Sequence, residues 1–401
     1  MFGRHGLRLP ESSELACRPI NRVARRLVAL ACIGLFVSAN AVSAQYSTRS
    51  GNSAGAAGRR VTLSFIVLGC NRIQESDWAK MKDRNPSSAN VPQLRQTFVD
   101  ITRLRPIPPY LFFMGDLVVN LAVDNGDTLR GQLDAWARLY KRDPSGIAKK
   151  TTLIPFTGNH EVLQGIFRND SLGAKVEVLN AATHPVWLHW LGKNGFDRFA
   201  GNGPTNAAPN PDMLQRDESK MTYSFDIGDV HFIVLNTDAL TTTLNIGWIA
   251  YHWIERDIQQ AERNDRIKTI FVLGHKPILG PIEAAEPGSA IINPLGFQLN
   301  WLLNRSHKAR AYISAHAHMW QAEQLGDSSA VWQVIAGNGG SKLETGWKPR
   351  GGPYFGFTLV KVYENGEVGV VSYARPVPPV YYRGPTQPAR PRPEIFLRRK
   401  H

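Results

Sequence analysis

Four short apolar runs in this chain end alike, in a glycine or alanine followed closely by a residue type that binds cations. Tyr110–Met114 leads into Gly115-Asp116, and Thr152–Phe156 into Gly158-Asn159-His160-Glu161. Thr269–Leu273 leads into Gly274-His275, and Ala311–Ser314 into Ala315-His316-Ala317-His318. Runs of this length, rich in β-branched and aromatic residues, read as buried strands. Helical patterns lie between them, near Val91–Leu104, Leu129–Tyr140, Trp248–Arg263 and Leu299–Asn304. Strands that alternate with helices run parallel, and side chains leaving the same end of such strands meet in one crevice. The glycines let the backbone turn sharply and approach an ion or a phosphate.

The remaining elements make this more than one parallel sheet. Val61–Leu68 is a further buried strand at the start. Thr222–Asp226 and Val230–Asn236 form a hairpin around Gly228-Asp229, and Val331–Ile335, Phe357–Tyr363 and Gly366–Tyr373 finish the domain. Hairpins mixed with strand–helix units predict an α/β sandwich. Residues 162–220 read as an irregular insertion of the kind that shapes a pocket. Within it, Trp187, Trp190, His184 and His189 either line that pocket or pack the insertion down. Trp248 and Trp253 are expected on the buried face of a helix. Asp238 follows a strand end near the crevice, without a role assigned to it.

The termini are set apart by composition. Residues 1–44 read as an export signal: Arg22, Arg25 and Arg26 precede the apolar run Leu27–Val37, and Val42-Ser43-Ala44 offers a cleavage site before Gln45. Residues 45–60 are a Ser/Gly/Ala-rich linker, 61–374 the main domain with its 162–220 insertion, and 375–401 a Pro/Arg-rich basic tail. Of the formal net charge of +14, four units fall in the signal and six in the tail, leaving four for the body. That distribution argues against a nucleic-acid role and reads the tail as a solvated terminus. Cys70 is the one cysteine outside the signal, so no internal disulfide is expected. No run after residue 44 is long enough to span a membrane, and an exported protein, periplasmic or secreted, is expected.

The ligand types suit divalent ions. A carboxylate such as Asp116 can bridge two of them, while imidazoles and an amide oxygen complete the shells. Taken in order, Gly115-Asp116, Gly158-Asn159-His160-Glu161, Gly274-His275 and Ala315-His316-Ala317-His318 resemble the motifs of the calcineurin-like metallophosphoesterase family. Met221–Asp226 with Val230-His231-Phe232, and Gly337-Asn338-Gly339-Gly340, resemble its purple acid phosphatase-like branch. The resemblance covers about residues 61–373. It implies a metallophosphoesterase-type sandwich of two mixed β-sheets flanked by helices, and two divalent metal ions (Fe, Zn or Mn). Asp116 would bridge the ions, Asn159, His275 and His316 would complete the second shell, and His318 would bind the first ion. His160 would protonate the leaving oxygen or stabilise charge at the phosphate. The implied activity is hydrolysis of phosphate mono- or diesters by metal-bound hydroxide.

One motif departs from the family pattern. Where the family has Asp-x-His after the first strand, this chain has Gly69-Cys70-Asn71-Arg72. Three readings stay open. Cys70 could ligate a softer ion as a thiolate. Asn71 could supply an oxygen, with Arg72 clamping the substrate phosphate in place of one ion's charge. Cys70 could equally be an ordinary buried small residue beside a one-metal site. The departure also leaves room for a non-catalytic member of the fold that binds a ligand or a cell-surface partner.

Overall fold

The computed structural model describes residues 59–167, 175–280, 289–326, 330–383 and 386–399. The expected export signal and most of the expected linker lie outside the described residues.

Two mixed sheets pack face to face. The first has the order β14-β13-β12-β1-β2-β3, with β15 also on β13. Its parallel part is β1 (Val61–Leu68), β2 (Tyr110–Met114) and β3 (Thr152–Phe156). The long strand β12 (Tyr354–Tyr363) runs antiparallel to β1, and β13 (Val368–Pro376) antiparallel to β12. The second sheet has the order β10-β11-β9-β8-β7-β6. Here β7 (Val230–Leu235), β8 (Thr269–Gly274), β9 (Ala309–Ser314) and β11 (Trp332–Ala336) are parallel. The strands β6 (Tyr223–Ile227) and β10 (Trp320–Gln324) close the two edges antiparallel.

Strand alternation separates three cores, because successive side chains point to opposite faces. Phe65, Val67, Phe112 and Met114 of the first sheet meet Phe232, Val234, Phe271 and Leu273 of the second between the sheets. The rings of Phe65 and Phe232 sit edge-on there, with centroids 5.2 Å apart. The alternate residues Ile66, Leu68, Leu111 and Phe113 face the helices Val91–Arg103, Asp127–Lys141 and Thr183–Asn194. Ile233, Leu235, Ile270 and Val272 face the helices Tyr251–Arg263 and Leu295–Arg305. The result is a four-layer sandwich, helices outside and sheets within.

Three expectations need adjustment. The 162–220 insertion is not wholly irregular: it holds the hairpin β4 (Leu163–Phe167) with β5 (Lys175–Leu179), and the helix Thr183–Asn194. Val186, Trp187, Trp190 and Leu191 form one apolar face of that helix and are buried, so the tryptophans pack the insertion onto the domain. His189 is exposed, and His184 lies 3.9 Å from buried Glu218. Trp253 is helical but Trp248 precedes the helix, and both are half-buried.

The tail is the third case, because it is not a solvated terminus among the described residues. The short strands β14 (Arg390–Pro391) and β15 (Ile395–Phe396) pair with β13, and Leu397 is buried. Arg375 belongs to β13 and is 1% exposed. Its guanidinium donates to Asp100 Oδ2 at 3.2 Å and to Gln93 Oε1 at 2.7 Å, and bonds the Thr97 hydroxyl. A charge count along the sequence shows the arginine but not the partner that draws it inside. Breaking a buried ion pair strands the other charge, at a cost of about 3–5 kcal/mol. Arg375→Met is therefore expected to lower stability by that amount in chemical denaturation. An unchanged midpoint would return the segment to the role of a loose tail.

Candidate metal centre

The site sits where strands of both sheets end. β1, β2 and β9 leave their sheets by the same device: two residues past the last strand residue, at Cys70, Asp116 and His316, the backbone turns left-handed, with φ of 55°, 55° and 58°. That conformation costs an L-residue about 1–2 kcal/mol. Here it swings three side chains into one crevice. Two glycines make room for the approach. A Cβ on Gly115 would lie 2.3 Å from the Gly158 nitrogen, and one on Gly158 would lie 2.4 Å from Asp116 Oδ1.

One half of the crevice is a cluster of lone pairs. His275 is fully buried, and its Nδ1–H donates to the Met114 carbonyl at 2.7 Å, which leaves Nε2 an acceptor. Around that nitrogen stand Asn159 Oδ1 at 3.1 Å, His316 Nδ1 at 3.1 Å and Asp116 Oδ1 at 3.3 Å. Asn159 Oδ1 is also 3.2 Å from His316 Nδ1. At most one proton, on His316, can lie among Asn159 Oδ1, His275 Nε2 and His316 Nδ1. Ligand arms of about 2.0–2.1 Å around a divalent ion put neighbouring donor atoms about 3.0–3.4 Å apart. The donor chemistry and the spacing therefore both fit such an ion.

Glu177, on β5, was not visible as a site residue in the sequence. Its Oε2 accepts from Asn159 Nδ2 at 3.2 Å. This turns the amide so that its oxygen, not its nitrogen, faces the histidines, as outer-shell partners do around bound ions. No motif marks Glu177; its role depends on where the β4–β5 hairpin folds back.

The other half of the crevice holds Cys70, Asp116 and His318, with one donor atom from each lying within 4.8 Å of the others. His318 Nδ1–H donates to the Lys342 carbonyl at 2.8 Å, leaving Nε2 as its acceptor. Arg72 Nε lies 3.3 Å from Asp116 Oδ2. Asn71 is buried: its Nδ2 donates to the Gly339 carbonyl at 2.9 Å and to that of Asn90 at 3.4 Å, while its Oδ1 has no hydrogen-bond partner. Asp238 pairs with Lys276, both buried, at 2.5 Å.

His160 and Glu161 brace the floor. The His160 backbone N–H donates to Asp116 Oδ1 at 3.3 Å, and its ring Nδ1 bonds the Val119 carbonyl. Glu161 is fully buried and gathers backbone N–H groups: Asp116 at 2.9 Å, Leu117 at 2.8 Å and Gly158 at 2.8 Å.

Burial sets the charges. Burial, then the Arg72 guanidinium, lowers His160 to about 3 and His318 to about 4. Burial, then His275 and Lys276, holds His316 well below the usual histidine range. These rings are neutral and keep their lone pairs. Burial alone would raise Asp116, but its basic neighbours, the Arg72 guanidinium among them, outweigh it and hold the carboxyl below its ordinary value. Burial and then Asp116 push the Cys70 thiol well up. The same two causes push Glu161 up to about 8, against the pull of its N–H donors.

No protein-family profile and no curated protein matches the chain. Solved structures do. A structure of PhoD superposes with a TM-score of 0.52 at 10% identity, over 85% of this chain and 70% of that one. A dimetal phosphatase from Danio rerio aligns over 85% of this chain and 100% of its own at 10% identity, but its TM-score of 0.41 carries no argument. At such identity the likeness to PhoD speaks for the fold alone.

Proposed function

We propose that this chain hydrolyses phosphate esters with a divalent metal ion held by Asp116, Asn159, His275 and His316. The observation that supports this best is the mutual approach of Asn159 Oδ1, His275 Nε2 and His316 Nδ1 to 3.1–3.2 Å, with Asp116 Oδ1 3.3 Å from His275 Nε2. A buried cluster of acceptors is costly unless a cation occupies it. When bound, such an ion supplies a Lewis acid for phosphoryl oxygens and lowers the pKa of water.

The chain's own residues account for the rest. Asp116 brings a negative charge that stays ionised. Glu177 fixes the Asn159 amide, and Met114 fixes the His275 tautomer through its carbonyl. His160, with Nδ1–H spent on Val119, presents Nε2 as an acceptor, so it orients a hydroxyl or water beside the phosphate. Donating a proton from that nitrogen would first require protonation, which burial and Arg72 oppose. Arg72, 17% exposed at its side chain, has donors left over from Asp116 to hold a phosphate oxygen. Among the described residues no helix is long and apolar enough to cross a membrane. Export through residues 1–44, to the periplasm or the medium, belongs to the same proposal, with residues 61–374 as the catalytic part.

The test is metal content by elemental analysis, with turnover of p-nitrophenyl phosphate and bis-p-nitrophenyl phosphate on the same sample. Bound divalent ion and turnover lost on chelation are expected, with mass spectrometry finding Gln45 as the first residue. A metal-loaded sample that turns over neither ester would leave the non-catalytic binding reading in possession.

A further inference from the structure

We propose that Cys70, Asp116 and His318 form a second metal position with a thiolate ligand, which takes a borderline-soft divalent ion such as Zn²⁺ in preference to Mg²⁺ or Mn²⁺. This deepens the reading above and rests on it, since Asp116 serves both positions.

Three donors from three strand exits converge within 4.8 Å of one another, and Cys70 and Asp116 are fully or almost fully buried. Cys70 stands two residues past β1 in the left-handed turn that also aims Asp116 past β2 and His316 past β9. A cysteine that merely fills space needs no such turn. Its backbone is fixed on both sides: the N–H donates to the Gly115 carbonyl at 3.1 Å, and the carbonyl accepts from Ser341 at 2.9 Å. On the opposite side His318 is held by Lys342 with Nε2 free, the arrangement that orients histidine ligands.

Charge favours the same assignment. A thiolate and a carboxylate together offset a dication, and Arg72, 3.3 Å from Asp116 Oδ2, adds positive charge to which a substrate phosphate can bind. On binding, the sulfur–metal bond forms as the S–H bond breaks, and the proton passes to buffer. No oxidant or reductant is involved. Thiolate selects softer ions because hard ions gain little from sulfur, so Mg²⁺ would fill only the oxygen- and nitrogen-lined half.

The test uses the full chain, stripped of metal and titrated with Co²⁺ and then Zn²⁺. Two equivalents are expected to bind, with a thiolate-to-cobalt charge-transfer band that Cys70→Ser removes. In that variant one equivalent should weaken by about 100-fold or more while the other is retained. Should the variant fail to fold, X-ray absorption of the zinc-loaded wild type gives the same answer, through a sulfur at about 2.3 Å. Ions bound through nitrogen and oxygen only would overturn the proposal and leave Arg72 as the resident cation of that half. A chain that binds neither Co²⁺ nor Zn²⁺ would instead overturn the metal reading on which it rests.

Discussion

His275→Ala is expected to lower kcat/KM for a phosphate ester by about 10³-fold or more, equivalent to about 4 kcal/mol of lost transition-state stabilisation. The reason lies in its position. His275 Nε2 is the atom against which Asn159 Oδ1, His316 Nδ1 and Asp116 Oδ1 are all measured at 3.1–3.3 Å. Removing it takes away the central ligand of the acceptor cluster and leaves the Met114 carbonyl without its donor. Metal content should fall in parallel with activity. Exposed His189 supplies the control, and His189→Ala should change neither quantity. If His275→Ala kept its metal and its turnover, the ion would have to sit elsewhere in the crevice.

Glu161→Ala is expected to lower stability by about 3–5 kcal/mol. Glu161 makes no contact with solvent, and its two oxygens accept the backbone N–H groups of Asp116, Leu117 and Gly158 at 2.8–2.9 Å. Each buried N–H left without a partner costs about 1–3 kcal/mol, and water entering the cavity can recover only part of that. The loss should appear as a shifted urea midpoint with an unchanged slope. Because the same carboxylate holds the Asp116 and Gly158 turns against each other, metal affinity should fall as well. A shift below about 1 kcal/mol would mean that the turns hold themselves.

Much of this was legible in the sequence, for local reasons. β1, β2 and β3 match their sequence bounds because each is a short run of large apolar residues ended by a glycine within two residues. The proposed ligands could be named because Asp116, Asn159, His275 and His316 each closely follow such a strand end. What stayed hidden depends on contacts distant in the chain. Glu177 acts through Asn159, 18 positions away, and nothing near Glu177 foretells it. Arg375 finds Asp100 across 275 positions, so its charge was counted among a solvated tail. At Cys70 the residue type left three readings open. The left-handed turn it shares with Asp116 and His316 is a property of the backbone that no side-chain pattern displays.

The two sheets are joined mainly by apolar contact along their shared core, and the crevice draws its donors from both. Asp116 and Asn159 come from the strands of one sheet, His275 and His316 from those of the other. A cation held between them is a rivet through the laminate. Loading and folding then become one thermodynamic quantity: metal at 100 times its dissociation constant would add about 2.7 kcal/mol to the whole domain. With no disulfide among the described residues to lock it, the domain would thus draw mechanical strength from the same ion that serves the proposed chemistry, and metal scarcity would be felt first as fragility.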